Sequence, residues 1–102
     1  MSTPREVRST QRIAADHPAL PGHFPGRPLV PGVVLLECAT QLARDAFALG
    51  ALKAVPMLKF IAPIEPDVDF DCVVATSDGV RISFRIERDG QIAAQGSLRF
   101  GE

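Results

Sequence analysis

The sequence predicts an α+β protein in which one antiparallel sheet curls around a single helix. Two observations lead there. An apolar segment from Gly32 to Leu49 carries helix punctuation at both ends, and five strand-like segments surround it, one before and four after. With 102 residues there is room for one domain, residues 1–102.

The elements follow in order. Residues 5–15 (REVRSTQRIAA) read as a first strand, with Val7 and Ile13 on one face. Residues 16–31 form a loop, because Pro18, Pro21, Pro25, Pro28 and Pro31, with Gly22 and Gly26, leave no room for a helix or an interior strand. Each proline also restricts one backbone angle, so the loop costs little to hold rigid. Pro31 suits a helix start, and Gly50 suits its stop. Between them, apolar residues cover well over half of the helix circumference, which predicts a helix buried on most sides. Residues 51–57 read as a connector and 58–64 (LKFIAPI) as a strand ended by Pro63.

The last three strands form the clearest pattern. Residues 68–76 set Val68, Phe70, Cys72 and Val74 against Asp69 and Asp71. Residues 80–88 set Val80, Ile82, Phe84 and Ile86 against Arg81, Ser83, Arg85 and Glu87. Asp89-Gly90 is a two-residue hairpin signal, and Ile92, Ala94, Gly96, Leu98 and Phe100 alternate along the final strand. By spacing, Phe60, Phe70, Phe84 and Phe100 belong to the core, with one or two of them free to line a channel.

Composition excludes several classes. Net charge is −1, so no overall field favours nucleic acid or an acidic membrane. Glu37, Gln41, Arg44 and Asp45 interrupt the longest apolar stretch, which argues against a membrane span. The N-terminal MSTPREVRSTQR has no apolar centre, so no secretory signal is expected and the cytoplasm is the expected compartment. Cys38 and Cys72 lack disulfide or zinc spacing and read as small core residues. A hydrophobic fraction of 46% is rich for a free monomer of this size, which makes a partner surface plausible.

The chemistry concentrates in DHPALPGHFPGRPLVPGVVLLECATQL, residues 16–42. His23 is suited to move protons near neutral pH. Glu37, between Val34, Leu35, Leu36 and Cys38 on a buried helix, would be costly unless paired or protonated. Gln41 is one turn further on the same side. Gly32 stands where helix N–H groups lack partners and the dipole favours negative charge. The bland alternatives are a solvated loop histidine and a carboxylate pointing to water. His17, before Pro18, reads as a loop or capping residue.

GHFPGRPLVPGVVLLECATQ, residues 22–41, resembles the signature of the hotdog-fold 3-hydroxyacyl-(acyl-carrier-protein) dehydratases, the FabZ type by Glu37. Asp16-His17-Pro18 and KFIAPIEPDVDF, residues 59–70, extend the similarity. The resemblance implies a curved antiparallel sheet wrapped around one long central helix. It implies that His23 removes the C2 proton of a 3-hydroxyacyl thioester and that Glu37 protonates the departing C3 hydroxyl. Gly32 N–H would polarise the thioester carbonyl, and Gln41 would hold Glu37 or its water. It further implies a homodimer with shared sites, an acyl carrier protein as partner, and no metal or redox cofactor. The implied setting is fatty-acid, polyene or polyketide-type synthesis. A hotdog acyl thioesterase and a non-catalytic acyl-binding subunit are the alternatives, both disfavoured by the presence of His23 and Glu37 together. Arg5, Arg8, Arg12, Arg27, Lys53 and Lys59 are candidates for meeting an acidic carrier protein. The connector at 51–57 stands where the resembled family often carries an aromatic gate, and the chain has no Tyr.

Overall fold

A proline, a stripe of apolar residues at helical spacing and a left-handed stop produce α1, Gly32–Phe47, the one helix among the described residues. Pro31 occupies the N-cap with φ −60° and ψ 145°, and no side chain caps the N-terminus. Ala48 ends it in the left-handed region (φ 53°), its N–H donating to the Arg44 carbonyl. The stop therefore falls two residues before the expected Gly50. This computed structural model describes residues 5–18 and 29–101.

Five strands follow the order β1 (Arg5–Gln11), β2 (Ala51–Phe60), β3 (Phe70–Thr76), β4 (Arg81–Arg88) and β5 (Gln91–Gly101). They make one antiparallel sheet in the spatial order β1-β3-β4-β5-β2. Strands β3 to β5 are the expected meander, while β2 crosses to the far edge and pairs with β5. The expected connector at 51–57 is thus strand, and the expected strand at 58–64 ends at Phe60. Pro56 masked that strand in the sequence. It is tolerated because β2 is an edge, and it sits where the β2–β5 register shifts between Ala54 and Met57.

The helix packs on β3 and β4 through one stripe, Val34, Leu35, Ala39, Ala43 and Phe47. Ala39 and Ala43 bring its backbone close to Cys72, Val74, Ile82, Ile86, Ala94 and Leu98 of the sheet. The opposite side of α1 is open. Val33 is 59% exposed, and Glu37, Gln41, Arg44 and Asp45 are exposed as well. The expected long helix buried on most sides is therefore corrected to 16 residues covered along one stripe. Apolar girth alone could not tell a fully enclosed helix from one that leaves an apolar face uncovered.

Turn chemistry fixes the register. Asp89 (φ 51°) and Gly90 (φ 79°) both take positive φ, the primed turn that matches strand twist. At the β3–β4 turn the Asp78 carboxylate accepts N–H groups of Val80 (2.8 Å) and Arg81 (2.9 Å). Thr76, buried, donates its hydroxyl to the Arg81 carbonyl and accepts the Gly79 N–H, both at 2.8 Å. This turn carries Val80 out to solvent, and Ile92 is also exposed beside a register shift after Ile86, so neither joins the core as expected. At Gly96 an added Cβ would lie 2.4 Å from the Met57 carbonyl oxygen and 2.7 Å from the Phe84 ring. That glycine is a notch in β5 over which Phe84 folds and β2 passes.

The outer face of the sheet carries ion pairs. Arg8 bridges Asp71 (2.8 Å) and Glu87 (2.9 Å), Arg12 pairs with Asp69 (2.8 Å), and Arg85 contacts Glu87 and Glu6. Such exposed pairs add little each, yet they shift proton affinities together. Thr10 and Arg8 hold the Asp71 carboxyl below its ordinary range, Arg85 and Arg8 hold Glu87 down, and the Val80 and Arg81 N–H groups hold Asp78 down. A carboxyl with a lowered folded-state pKa stabilises the fold above its unfolded value, here 3.8 or 4.5, and loses that contribution as pH falls through the folded value. The melting temperature is accordingly expected to fall as the pH drops below about 5. Glu87→Gln should flatten that acid limb in a calorimetric pH series, and an unchanged slope would remove this cluster from the account.

Candidate active site

The two functional positions on α1 face different spaces. Gly32 and Glu37 are five residues apart, which puts them about 140° apart around the helix axis. Glu37 lines an open cleft of about 730 Å³ between the exposed side of α1 and β1, together with His17, Cys38, Gln41, Ser9 and Gln11. Gly32 lines a second cleft of about 340 Å³ formed with Leu35, Phe60 and residues 61–64. Within one chain the two residues line different clefts.

Local structure explains both placements. The Val30 N–H donates to the Ile64 carbonyl (2.8 Å), tying the helix entrance to residues 61–64. Ile61 and Ala62 N–H groups both donate to the Ala93 carbonyl, at 2.8 and 3.0 Å, anchoring that segment to β5. The N-terminus of α1 thus opens beside the end of β2, with no acidic residue in its first turn and no side-chain cap. The positive end of the helix dipole there suits a developing oxyanion.

Glu37 is exposed, which corrects the expectation of a carboxylate buried by its own chain. The neighbouring Val34 and Leu35 point to the sheet, whereas position 37 falls on the open side of the helix. Gln41, expected to hold Glu37 or its water, has a protein partner further down the helix. Its amide donates to Asp45 Oδ1 at 2.9 Å, the next turn down the same face. An i to i+4 partner exists in both directions, and the sequence could not say which would win. His17 lines the same cleft as Glu37, a neighbour that the sequence offered only as a loop residue. Cys38, half-buried beside Glu37, has its thiol pushed up by burial and by that carboxylate. Burial pushes Cys72 up to about 12, so both are protonated thiols and neither is a nucleophile at neutral pH. His23, with Gly22, Gly26 and Arg27, lies outside the described residues.

Among the candidate cations, Arg8 and Arg12 are engaged in ion pairs on the sheet. Phe70, Phe84 and Phe100 are core as expected, but Phe60 is 51% exposed. It occupies a core-facing position on a strand that is the sheet edge.

The model of the ApeI-like family, described as ApeI dehydratase, matches residues 1–97. This chain belongs to the ApeI-like dehydratase family. It is 31% identical over 108 residues to the 3-hydroxyacyl-(acyl-carrier-protein) dehydratase FabZ of Rickettsia bellii, covering 92% of this chain and 74% of that one. A FabZ of Ruminiclostridium cellulolyticum is 26% identical over 94% of this chain and 76% of its own. The dehydratase heterocomplex ApeI:P from Xenorhabdus doucetiae superposes with a TM-score of 0.86 at 25% identity, over 95% of this chain and 88% of that one. The ApeI-like chain is therefore a FabZ-like hotdog dehydratase, a hydro-lyase, built as an antiparallel five-stranded sheet with a single helix. No described helix of this dehydratase is long and apolar enough to cross a membrane.

Proposed function

We propose that the chain dehydrates 3-hydroxyacyl thioesters carried on the phosphopantetheine arm of an acyl carrier protein, in sites shared between the two chains of a homodimer. The observation that carries the shared site is the separation of Gly32 and Glu37 into different clefts. A two-fold partner can bring its Glu37 to the Gly32 cleft of the first chain and receive the same in return. The interface would be the free edge of β2, where Met57, Leu58, Phe60 and Ile61 are exposed apolar residues in a near-continuous run. An uncovered apolar edge of this kind invites strand pairing. Burial of Glu37 then comes from the partner.

In this reading His23 removes the C2 proton, and the charge moves onto the thioester oxygen, to which the Gly32 N–H donates a hydrogen bond. Glu37 of the partner gives its proton to the C3 hydroxyl, the C3–O bond breaks, and water leaves. The product is the trans-2-enoyl thioester, and proton return from His23 to Glu37 resets the pair. Oxidation levels balance within the substrate, so the scheme calls on no metal or redox cofactor. Its proposed compartment is the cytoplasm.

The test is incubation of the pure protein with 3-hydroxyacyl carrier thioesters while following enoyl absorbance. Wild type should form the enoyl product, and His23→Ala should lower turnover by about 10²–10⁴-fold. An inactive wild type across short, medium and long chains, or a fully active His23→Ala, would sink the assignment.

A further inference from the structure

The contact between Phe60 and Gly32 assigns a second task to the aromatic ring. A Cβ placed on Gly32 would lie 2.3 Å from Phe60 Cζ and within 2.8 Å of both Cε atoms. The ring is therefore seated directly on the helix position whose N–H is assigned to the thioester carbonyl. Residue 60 pairs with Ala94 of β5, which in turn pairs with Ile86 of β4, so its side chain belongs to the helix-facing side of the sheet. Because β2 is the edge, the ring has neighbours on one side only and is 51% exposed.

Beyond the ring, the described residues bring no polar side chain to the cleft. Leu29, Val30, Leu35, Ile61, Pro63 and Ile64 complete its lining, and its volume is about 340 Å³. A wall of this chemistry accepts methylene groups and offers nothing to a sugar, nucleotide or amino acid. Gly32 is part of its lining, so a thioester carbonyl held by that N–H would start at this cleft. The position is separate from residues 51–57, where the resembled family often carries an aromatic gate. There the chain has only small and aliphatic residues besides Lys53.

We propose that Phe60 sets the acyl-chain length this enzyme accepts, its ring on Gly32 dividing the carbonyl position from the apolar cleft that receives the alkyl tail. This rests on the dehydratase reading and adds the residue that selects among its substrates. Phe60 is a specificity-determining residue and takes no part in proton transfer. Shrinking the side chain should lengthen the accepted tail, and enlarging it should shorten the tail.

The experiment compares wild type, Phe60→Ala, Phe60→Leu and Phe60→Trp as full chains, each checked for a cooperative melt. Two readouts are taken with butyryl, octanoyl and dodecanoyl chains: kcat/KM on the 3-hydroxyacyl pantetheine thioesters, and calorimetric affinity for the saturated, unreactive acyl pantetheines. Phe60→Ala should raise the dodecanoyl-to-butyryl ratio by about tenfold or more in both readouts. Phe60→Leu should fall between Ala and wild type, and Phe60→Trp should move the ratio the other way. Unchanged ratios in all folded variants overturn the inference while leaving dehydration intact. Altered dimer dissociation with unchanged ratios does the same, because it makes Phe60 an interface residue only. Shifted affinities without turnover in any protein would retain the chain-length role and reject the dehydratase reading.

Discussion

Mixing His23→Ala chains with Glu37→Gln chains is expected to restore about one quarter of wild-type turnover, although neither variant is active by itself. The number follows from the two-fold symmetry. Random re-pairing of equal amounts makes about half of the dimers mixed, and in each mixed dimer one site carries both lesions while the other carries none. If instead each chain used its own histidine and its own glutamate, every site in the mixed dimer would hold one lesion and no activity would return. Both variants must exchange subunits, which can be verified with two tags on native gels. Failure of rescue after proven exchange would place the complete site within one chain, against the placement of Gly32 and Glu37 in separate clefts.

Charging the free edge of β2 should have a comparable effect by another route. Met57 and Leu58 lie in the middle of that edge and are both exposed in the isolated chain. The double variant Met57→Lys with Leu58→Lys sets two cations on each edge, and self-association brings four together near the two-fold axis. Light scattering should then report a folded monomer, and turnover should fall by about 10²-fold or more because the partner's acid is lost. An active monomer would reject the shared site. A variant that stays dimeric would move the interface away from β2.

The strands were read best where one face is buried and the other solvated. Phe70, Cys72 and Val74 alternate with Asp71 because the helix covers one side of β3 and the ion pairs with Arg8 occupy the other. Asp89-Gly90 was equally plain, since few other residues accept two consecutive positive φ angles. Only the end of β2 was legible, because Pro56 interrupts it and Lys53 and Lys59 do not alternate with its apolar residues.

The site divided in the same way. The residue types of His23, Gly32 and Glu37 pointed to acid–base chemistry, the resemblance alone implied a thioester, and family membership agrees with a dehydration. What the sequence could not convey was orientation. Glu37 looked buried because its sequence neighbours are apolar, yet Val34 and Leu35 face the sheet while Glu37 faces outward. Gln41 looked like its partner, but Asp45 lies one turn nearer the helix C-terminus and takes the hydrogen bond. Phe60 looked like core, and only the crossing of β2 to the sheet edge exposes it.

The two crowded glycines have a joint consequence. Gly96 receives the Met57 carbonyl at one point on β2, and Gly32 receives the Phe60 ring three residues later. The strand is therefore a ruler with a notch under each end of its last four residues. A single inserted or deleted residue between the notches would slide the ring by about 3.3 Å and turn it to the opposite face of the sheet. Relatives that handle longer or shorter tails would therefore be expected to keep this spacing and vary the residue at position 60. Length in the substrate would be recorded as the size of one side chain, while the strand that carries it stays the same length.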